Sequence, residues 1–235
     1  MHLIDELFTE HPHFGSRTMQ SVLKNKGHHV NRKRLQRLYH LMGLEAIYPK
    51  KNLSKPTPGH KIYPYLLRGI TASYPDHIWS TDITYIRMQH GFVYLMAIID
   101  WFSRYVLDWA LSTTLESDFC VETLRRAVDK GHCEIFNTDQ GSQFTATKFT
   151  NVLLSADIKI SMDGKGRALD NVFVERLWRS VKYEKIYLYE FNTVSEVEQA
   201  IGEYFEFYNH ERPHQGIEKR YPADLYYANS RSKNQ

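Results

Sequence analysis

Eight consecutive apolar residues, at positions 92–99, limit the folds open to this chain. The run ends at Asp100 and is too short to cross a bilayer, because a membrane-spanning helix needs about 20 residues. A continuous apolar run of this length is expected of a strand that is buried on both faces. The sequence therefore predicts a sheet that has a covered strand.

Further strand and helix patterns surround this run. Strands are predicted at residues 77–86, 91–100, 104–111, 134–138 and 158–161, and helices at residues 117–130, 146–156, 168–187 and 194–208. Three strands followed by alternating helices and strands are typical of an α/β fold, here a mixed five-stranded sheet flanked by helices. The length of 235 residues suits one such domain with an accessory region.

The first part of the chain is basic and is predicted to be helical. Residues 1–60 carry ten Lys or Arg against four Asp or Glu, although the net charge of the whole chain is only +3. Helices are predicted at residues 16–25 and 32–42, with Asn31 as the N-cap of the second and Gly43 as its end. The pair resembles a helix-turn-helix, and the alternative is a helical hairpin with a solvated basic face. We expect DNA contacts from four side chains of the second helix: Arg32, Lys33, Arg34 and Arg37.

Residues 48–75 are predicted to form an extended linker. Residues 48–64 hold four of the eight prolines together with four lysines, and proline blocks the interiors of helices and strands. Lys50 and Lys51 are therefore candidate contacts to a phosphate backbone. The predicted domains are a helix-turn-helix-like region at 1–47, this linker, an α/β core at 76–210 and a C-terminal tail at 211–235.

Cysteine content and the N-terminal residues bear on the cellular compartment. The two cysteines, Cys120 and Cys133, match no common zinc spacing and are too few for a secreted disulfide framework. The first residues include acids and lack the basic-then-apolar layout of a signal peptide. We expect a cytoplasmic protein without membrane association.

Three acids lie in segments that indicate a common role. Asp82 lies within the first predicted strand, in residues 79–85 (WSTDITY), and Asp139 follows a strand in residues 136–144 (FNTDQGSQF). Glu175 lies in a long predicted helix, in residues 170–179 (DNVFVERLWR). Two carboxylates on strands and one on a helix can hold a pair of divalent cations, and such a pair cuts and joins phosphodiester bonds.

One stripe of the long helix carries Asn171, Trp178, Arg179 and Lys182 beside Glu175. Such a stripe suits the wall of a site, where Arg179 and Lys182 contact DNA phosphates and Asn171 helps to orient DNA or cations. The alternative is a solvated helix face with an ordinary pair of Glu175 and Arg179, worth roughly a few tenths of a kcal/mol. Arg212, which follows the last predicted helix, is a further candidate contact to target DNA.

Taken together, these segments resemble those of bacterial insertion-sequence transposases with a retroviral-integrase-like core. The resemblance rests on the three acid segments, on the 35 residues between Asp139 and Glu175, and on Lys182 seven positions after Glu175. It extends to residues 11–17 (HPHFGSR), 100–104 (DWFSR), 164–171 (GKGRALDN) and 208–214 (YNHERPH). It covers roughly residues 10–228.

The resemblance implies a ribonuclease H-like integrase catalytic core at residues 76–210. It implies that Asp82, Asp139 and Glu175 hold two Mg²⁺ or Mn²⁺ ions for DNA strand cleavage and strand transfer during transposition. The implied partners are double-stranded DNA, as element ends and target, and further copies of the chain in an active homo-oligomer. The resemblance also implies the downstream product of a two-frame, frameshifted transposase, with an upstream-frame partner or fusion.

Two other functions stay open on the sequence. One is a non-catalytic DNA-binding regulator of transposition, which would share the basic N-terminal region but leave the three acids unused. The other is a nuclease of the same fold that cleaves DNA without joining it.

Overall fold

A computed structural model of the protein describes residues 1–11, 14–44, 61–89, 91–164 and 171–231. Lys50 and Lys51, and the predicted start of the long helix at residues 168–170, lie outside the described residues. The chain divides into two compact units, Met1–Leu53 and Ser54–Gln235. None of the helices within the described ranges is long and apolar enough to cross a membrane.

The first unit contains three helices: α1 (His2–Glu10), α2 (Ser16–Asn25) and α3 (Arg32–Leu41). The Asn31 side chain accepts a hydrogen bond from the Lys33 backbone N–H (3.0 Å), as an N-cap residue does. α1 was not predicted from the sequence, although Ile4 and Leu7 have helical spacing and are buried. The three helices pack around a small apolar core of Ile4, Leu7, Met19, Leu23, Leu35 and Tyr39.

The second unit is built on a mixed sheet of five strands. They are β1 (Ile78–Arg87), β2 (Phe92–Asp100), β3 (Val106–Ser112), β4 (Ile135–Thr138) and β5 (Lys159–Met162). Their order in the sheet is β3-β2-β1-β4-β5. The first three strands pair antiparallel, whereas β4 is parallel to both β1 and β5. The predicted α/β fold class is therefore confirmed.

Helices cover both faces of this sheet. They are α4 (Asp118–Lys130), α5 (Ser142–Thr145), α6 (Thr147–Ser155), α7 (Val172–Glu184), α8 (Val194–His210) and α9 (Pro222–Arg231), with short 3-10 helices at Ile186–Leu188 and Gln215–Ile217. Leu95 and Ala97 of β2 pack in a cluster with α7 and α8, while Met96 and Ile98 pack in a second cluster with α4 and α6. Alternate residues of the apolar run are thus buried on opposite faces, as a covered strand requires.

Two packed segments gave no clear signal in the sequence. Leu67 lies in the segment predicted as a linker, yet it is buried in a cluster with Ile78 and Trp101. Within the predicted tail, α9 packs on the unit, and the Tyr226 hydroxyl donates a hydrogen bond to Asp76 (2.7 Å). Both segments are held by contacts with distant parts of the unit, which neither helical nor strand periodicity reveals.

Candidate active site

A cleft of about 410 Å³ opens beside β1, and both Asp82 and Asp139 line it. The cause is the register of two neighbouring parallel strands, because Ser80 of β1 pairs with Asn137 of β4. Asp82 and Asp139 each follow two residues later, so the two acids reach the same level of the sheet. The structure therefore brings two of the three predicted acids to one site.

Asp82 is held against the helix that carries the third acid. Its Oδ2 accepts a hydrogen bond from the indole N–H of Trp178 on α7 (3.0 Å). Desolvation by burial and the charges of Asp139 and Glu175 raise the pKa of Asp82 to about 6. Hydrogen bonds from Trp178 and from the Ile83 backbone act in the opposite direction. Asp82 is thus an acid whose ionised form is held among like charges.

Asp139 is oriented by the turn that follows β4. Its Oδ1 accepts a hydrogen bond from the Gly141 backbone N–H (2.8 Å). A Cβ atom at position 141 would lie 2.8 Å from this oxygen, which is too close for an unstrained contact. Desolvation raises the pKa of Asp139, and the Gly141 N–H opposes that shift. A larger residue at position 141 would have to displace the Asp139 carboxylate from this hydrogen-bonded position.

Glu175 is exposed on α7, three residues before Trp178 and therefore about one turn along the helix. Its charge contributes to the raised pKa of Asp82. Among the described residues, no three His, Cys, Asp or Glu side chains lie close enough together to form a metal site. The structure thus pairs Asp82 with Asp139 and places Glu175 on the adjoining helix.

The other predicted residues of α7 differ in their surroundings. Asn171 is buried, and its Nδ2 donates a hydrogen bond to the Thr81 carbonyl (3.1 Å), next to Asp82. Its Oδ1 is buried without a hydrogen-bond partner among the described residues. Lys182 is half-buried, and desolvation lowers its pKa while the charge of Asp82 opposes that shift. Arg179 is exposed.

Arg212 takes part in an ion pair. Its Nε and Nη2 donate to the Glu184 carboxylate (2.7 and 2.6 Å), which raises the pKa of Arg212. Its Nη1 lies 3.0 Å from Nε2 of His214. A DNA phosphate at Arg212 would therefore have to compete with Glu184.

In the first unit, the predicted basic side chains share one property. Leu35 and Tyr39 of α3 are buried, whereas the predicted basic side chains of this helix are all exposed: Arg32, Lys33, Arg34 and Arg37. The basic surface of α3 is thus free of the apolar contacts that hold the helix in its unit.

The sequence did not predict the contacts that two side chains of the site make. Trp178 lies on the same predicted stripe as Glu175, and the structure adds that its ring is buried and that its indole N–H donates to Asp82. Asp163 follows β5, is buried, and lines the cleft beside Asp139. Its Oδ1 accepts a hydrogen bond from Nδ2 of Asn137 (2.8 Å). No local pattern marks Asp163, because its position depends on the pairing of β4 with β5.

Comparison with known protein families and relatives shows the family to which the chain belongs. The integrase core domain matches residues 72–168, a second integrase core domain matches residues 156–222, and an HTH-like domain matches residues 1–52. The transposase for insertion sequence element IS904 of Lactococcus lactis is 33% identical over 242 residues, covering 97% of this chain and 93% of that protein. The chain belongs to the insertion-sequence transposases. This family acts in DNA transposition, as the resemblance implied.

A second transposase and two solved structures agree with this assignment. A putative transposase for element IS150 of Escherichia coli is 31% identical and covers 89% of this chain and 76% of that protein. The HTLV-2 integrase catalytic core in complex with magnesium has a TM-score of 0.54 at 20% identity, covering 65% of this chain and 97% of that one. A simian T-cell lymphotropic virus intasome structure has a TM-score of 0.59 at 19% identity, covering 94% and 73%. The fold of the core is thus the ribonuclease H-like fold of integrases, whereas the frameshifted origin of the chain stays a prediction.

Proposed function

We propose that this transposase cuts DNA strands and joins them to target DNA, with Asp82, Asp139 and Glu175 as its catalytic acids. The observation that carries the proposal is the register of β1 and β4, which brings Asp82 and Asp139 to one cleft. The contact of Trp178 with Asp82 adds α7, the helix that bears Glu175.

The chemistry of these residues fits two divalent cations, Mg²⁺ or Mn²⁺. Carboxylate oxygens are preferred ligands of both ions. Burial and the charges of Asp139 and Glu175 raise the pKa of Asp82, and a cation would relieve the repulsion between these acids. The HTLV-2 integrase core, which shares the fold, is described in complex with magnesium. When bound, the cations would activate the attacking hydroxyl and stabilise the leaving oxygen of an in-line displacement at phosphorus.

The residues of the chain supply orientation and charge. Trp178 fixes one oxygen of Asp82, and Gly141 fixes one oxygen of Asp139. Asn171 ties the start of α7 to β1, and Arg179 and Lys182 offset the charge of DNA phosphates. Water first breaks a phosphodiester bond and leaves a 3′-hydroxyl, which then attacks a target phosphodiester. Each step exchanges one P–O bond for another and requires no covalent protein–DNA intermediate.

The proposed partners are double-stranded element ends and target DNA, further copies of this chain, and an upstream-frame partner or fusion. The HTH-like match and the exposed basic surface of α3 support DNA binding by the first unit. The homologous fold occurs in dimeric and trimeric forms of the HTLV-2 integrase core and in an intasome, which supports an active oligomer. Lys50 and Lys51 are proposed as further phosphate contacts. Arg212 is proposed as a DNA contact in which a phosphate replaces Glu184 as the partner of its guanidinium.

A strand-transfer assay with pre-cut element ends and Mg²⁺ or Mn²⁺ tests this function. Asp82→Asn, Asp139→Asn and Glu175→Gln should each lower cleavage and joining by about a thousandfold or more, since cation stabilisation of the transition state is worth several kcal/mol. DNA binding should persist in all three variants. Asp129→Asn, which changes an exposed acid on α4, is the matched control and should retain activity.

The same assay separates the alternatives. Cleavage without joining by the wild-type chain would indicate a nuclease, and DNA binding without Mn²⁺-dependent nicking would indicate a regulator. Wild-type rates for Asp139→Asn would show that the assignment of the acids is wrong.

A further inference from the structure

Five aromatic side chains are exposed on the second unit near the cleft, and we call them the aromatic patch. Each is more than half exposed: Tyr85, Phe92, Tyr183, Tyr187 and Tyr189. The ring centroids of Tyr85 and Phe92 are 6.4 Å apart, and those of Tyr183 and Tyr187 are 5.3 Å apart. Tyr85, Tyr187 and Tyr189 also line one cavity of about 540 Å³, which joins the β1 and α7 sides of the patch.

Cations alternate with these rings along α7 and just beyond it. Nζ of Lys182 lies 5.1 Å from the Tyr85 ring centroid, and the Arg179 guanidinium lies 5.9 Å from that of Tyr183. Lys185 lies 5.3 Å from the Tyr189 ring but also pairs with Glu203 (3.1 Å). Surfaces that bind single-stranded nucleic acid combine these two features, because cations track the phosphates while aromatic rings stack on bases.

The aromatic patch is continuous with the cleft of the catalytic acids. Tyr85 lines both the cleft and the larger cavity. It follows Asp82 by three residues on β1, which is roughly 10 Å along a strand. A DNA strand whose reacting phosphate lies at Asp82 and Asp139 therefore has neighbouring nucleotides within reach of the patch.

We infer that the aromatic patch binds unpaired nucleotides of the DNA strand that enters the cleft. Base faces are covered by their neighbours inside a duplex, so exposed rings gain stacking contacts only from bases that have left it. A second copy of this chain is the competing occupant. A two-fold contact of the patch with itself would bring Arg179 and Lys182 of both copies together, and like charges oppose that contact. The inference rests on the proposed function only for the position of the reacting phosphate.

Binding measurements on the full chain in EDTA test this inference without any chemistry. The probes share one sequence and are a blunt duplex and two duplexes with about three unpaired nucleotides at the 3′ or the 5′ end. Tyr85→Leu, Tyr183→Leu and Tyr187→Leu should each weaken binding of an unpaired-end probe about tenfold in fluorescence anisotropy. Binding of the blunt duplex should change by less than about twofold.

Matched variants separate stacking from general surface effects. Tyr183→Phe keeps the ring and should retain wild-type affinity for the unpaired end. Tyr221→Leu changes an exposed tyrosine outside the patch and should have no effect on either probe.

Two results would overturn the inference. One is an equal change, or no change, in the affinities of the leucine variants for blunt and unpaired-end probes. The other is a leucine variant whose affinities for both probes are unchanged but whose sedimentation coefficient differs from that of the wild type. That result would assign the patch to a contact between copies of the chain. Because EDTA prevents cleavage, a failure of the wild-type chain in strand transfer would leave this binding result unaffected.

Discussion

Two carboxylates of the same sheet, Asp100 and Asp82, have opposite surroundings. Asp100 is fully buried and accepts hydrogen bonds from the Ser103 N–H (2.7 Å), the Ser103 hydroxyl (2.6 Å) and the Asp76 N–H (2.9 Å). Asp82 instead lies near two other acids, Asp139 and Glu175, and desolvation by burial together with their charges raises its pKa.

This difference separates an acid with a structural role from the acid that we propose to bind a cation. Desolvation raises the pKa of Asp100, the donors around it oppose that shift, and the carboxylate closes the turn after β2. Asp82 has a hydrogen bond from Trp178, while burial and its acidic neighbours disfavour its charged form, a cost that a bound cation would reduce. Burial alone therefore does not identify a catalytic acid, whereas like charges in an open cleft do point to one.

The largest expected effect on stability comes from Asp100→Asn. The amide places a donor where the turn needs an acceptor, so the free energy of unfolding should fall by about 2–4 kcal/mol. Urea denaturation of the metal-free chain measures this loss, with Asp129→Asn as the control. A loss of unfolding free energy no greater than that of the control would show that Asp100 does not stabilise the turn.

A smaller effect is expected from Trp178→Phe, which keeps an aromatic ring but removes the donor to Asp82. Because the orientation of Asp82 is then lost, Mn²⁺ affinity should weaken about 10- to 100-fold. Calorimetric titration of the chain with Mn²⁺ measures this change, and Trp109→Phe, on β3, is the control. Unchanged Mn²⁺ affinity would mean that Trp178 only packs in the core.

Asp82→Asn should abolish activity yet stabilise the metal-free chain at pH 7. The native pKa of about 6 lies above the ordinary aspartate value of 3.8, so the native state binds the proton more tightly than the unfolded state. Wild-type stability should therefore rise relative to the variant as the pH falls from about 7 to 4. The stabilisation by Asn should be on the order of 1–2 kcal/mol at pH 7 and should disappear near pH 4. Denaturation midpoints at several pH values test the sign, and a variant less stable than wild type at pH 7 would contradict it.

The smallest expected effect concerns the basic surface of α3, which belongs to the first unit, whereas Asp82 and Asp100 belong to the second. Arg34→Gln and Arg37→Gln should each reduce the slope of log affinity against log salt by about one, if each side chain contacts one phosphate. Titrations of duplex DNA at several salt concentrations measure the slope. Lys24→Gln, on α2, is the control. An equal reduction of the salt slope by this variant would show that the DNA-binding surface is not confined to α3.

Local patterns in the sequence predicted most of the regular structure. The apolar run at residues 92–99 predicted a covered strand, and Asn31 predicted a helix start that its side chain does cap. These features depend on neighbours in the chain, which is why they can be read locally. The buried Leu67 and the Tyr226 contact were not predicted, because each depends on partners that are distant in the chain rather than on a repeating pattern.

The same division holds for the candidate site. The sequence by itself determined which acids to consider, since Asp82, Asp139 and Glu175 lie in distinctive segments. Only the tertiary structure decided which of them meet, because the register of β1 with β4 brings Asp82 and Asp139 to the same height in neighbouring strands. It also decided that Trp178 holds Asp82, across 96 positions of the chain. Strand register and side-chain direction are long-range consequences of packing, and no local pattern of residues contains them.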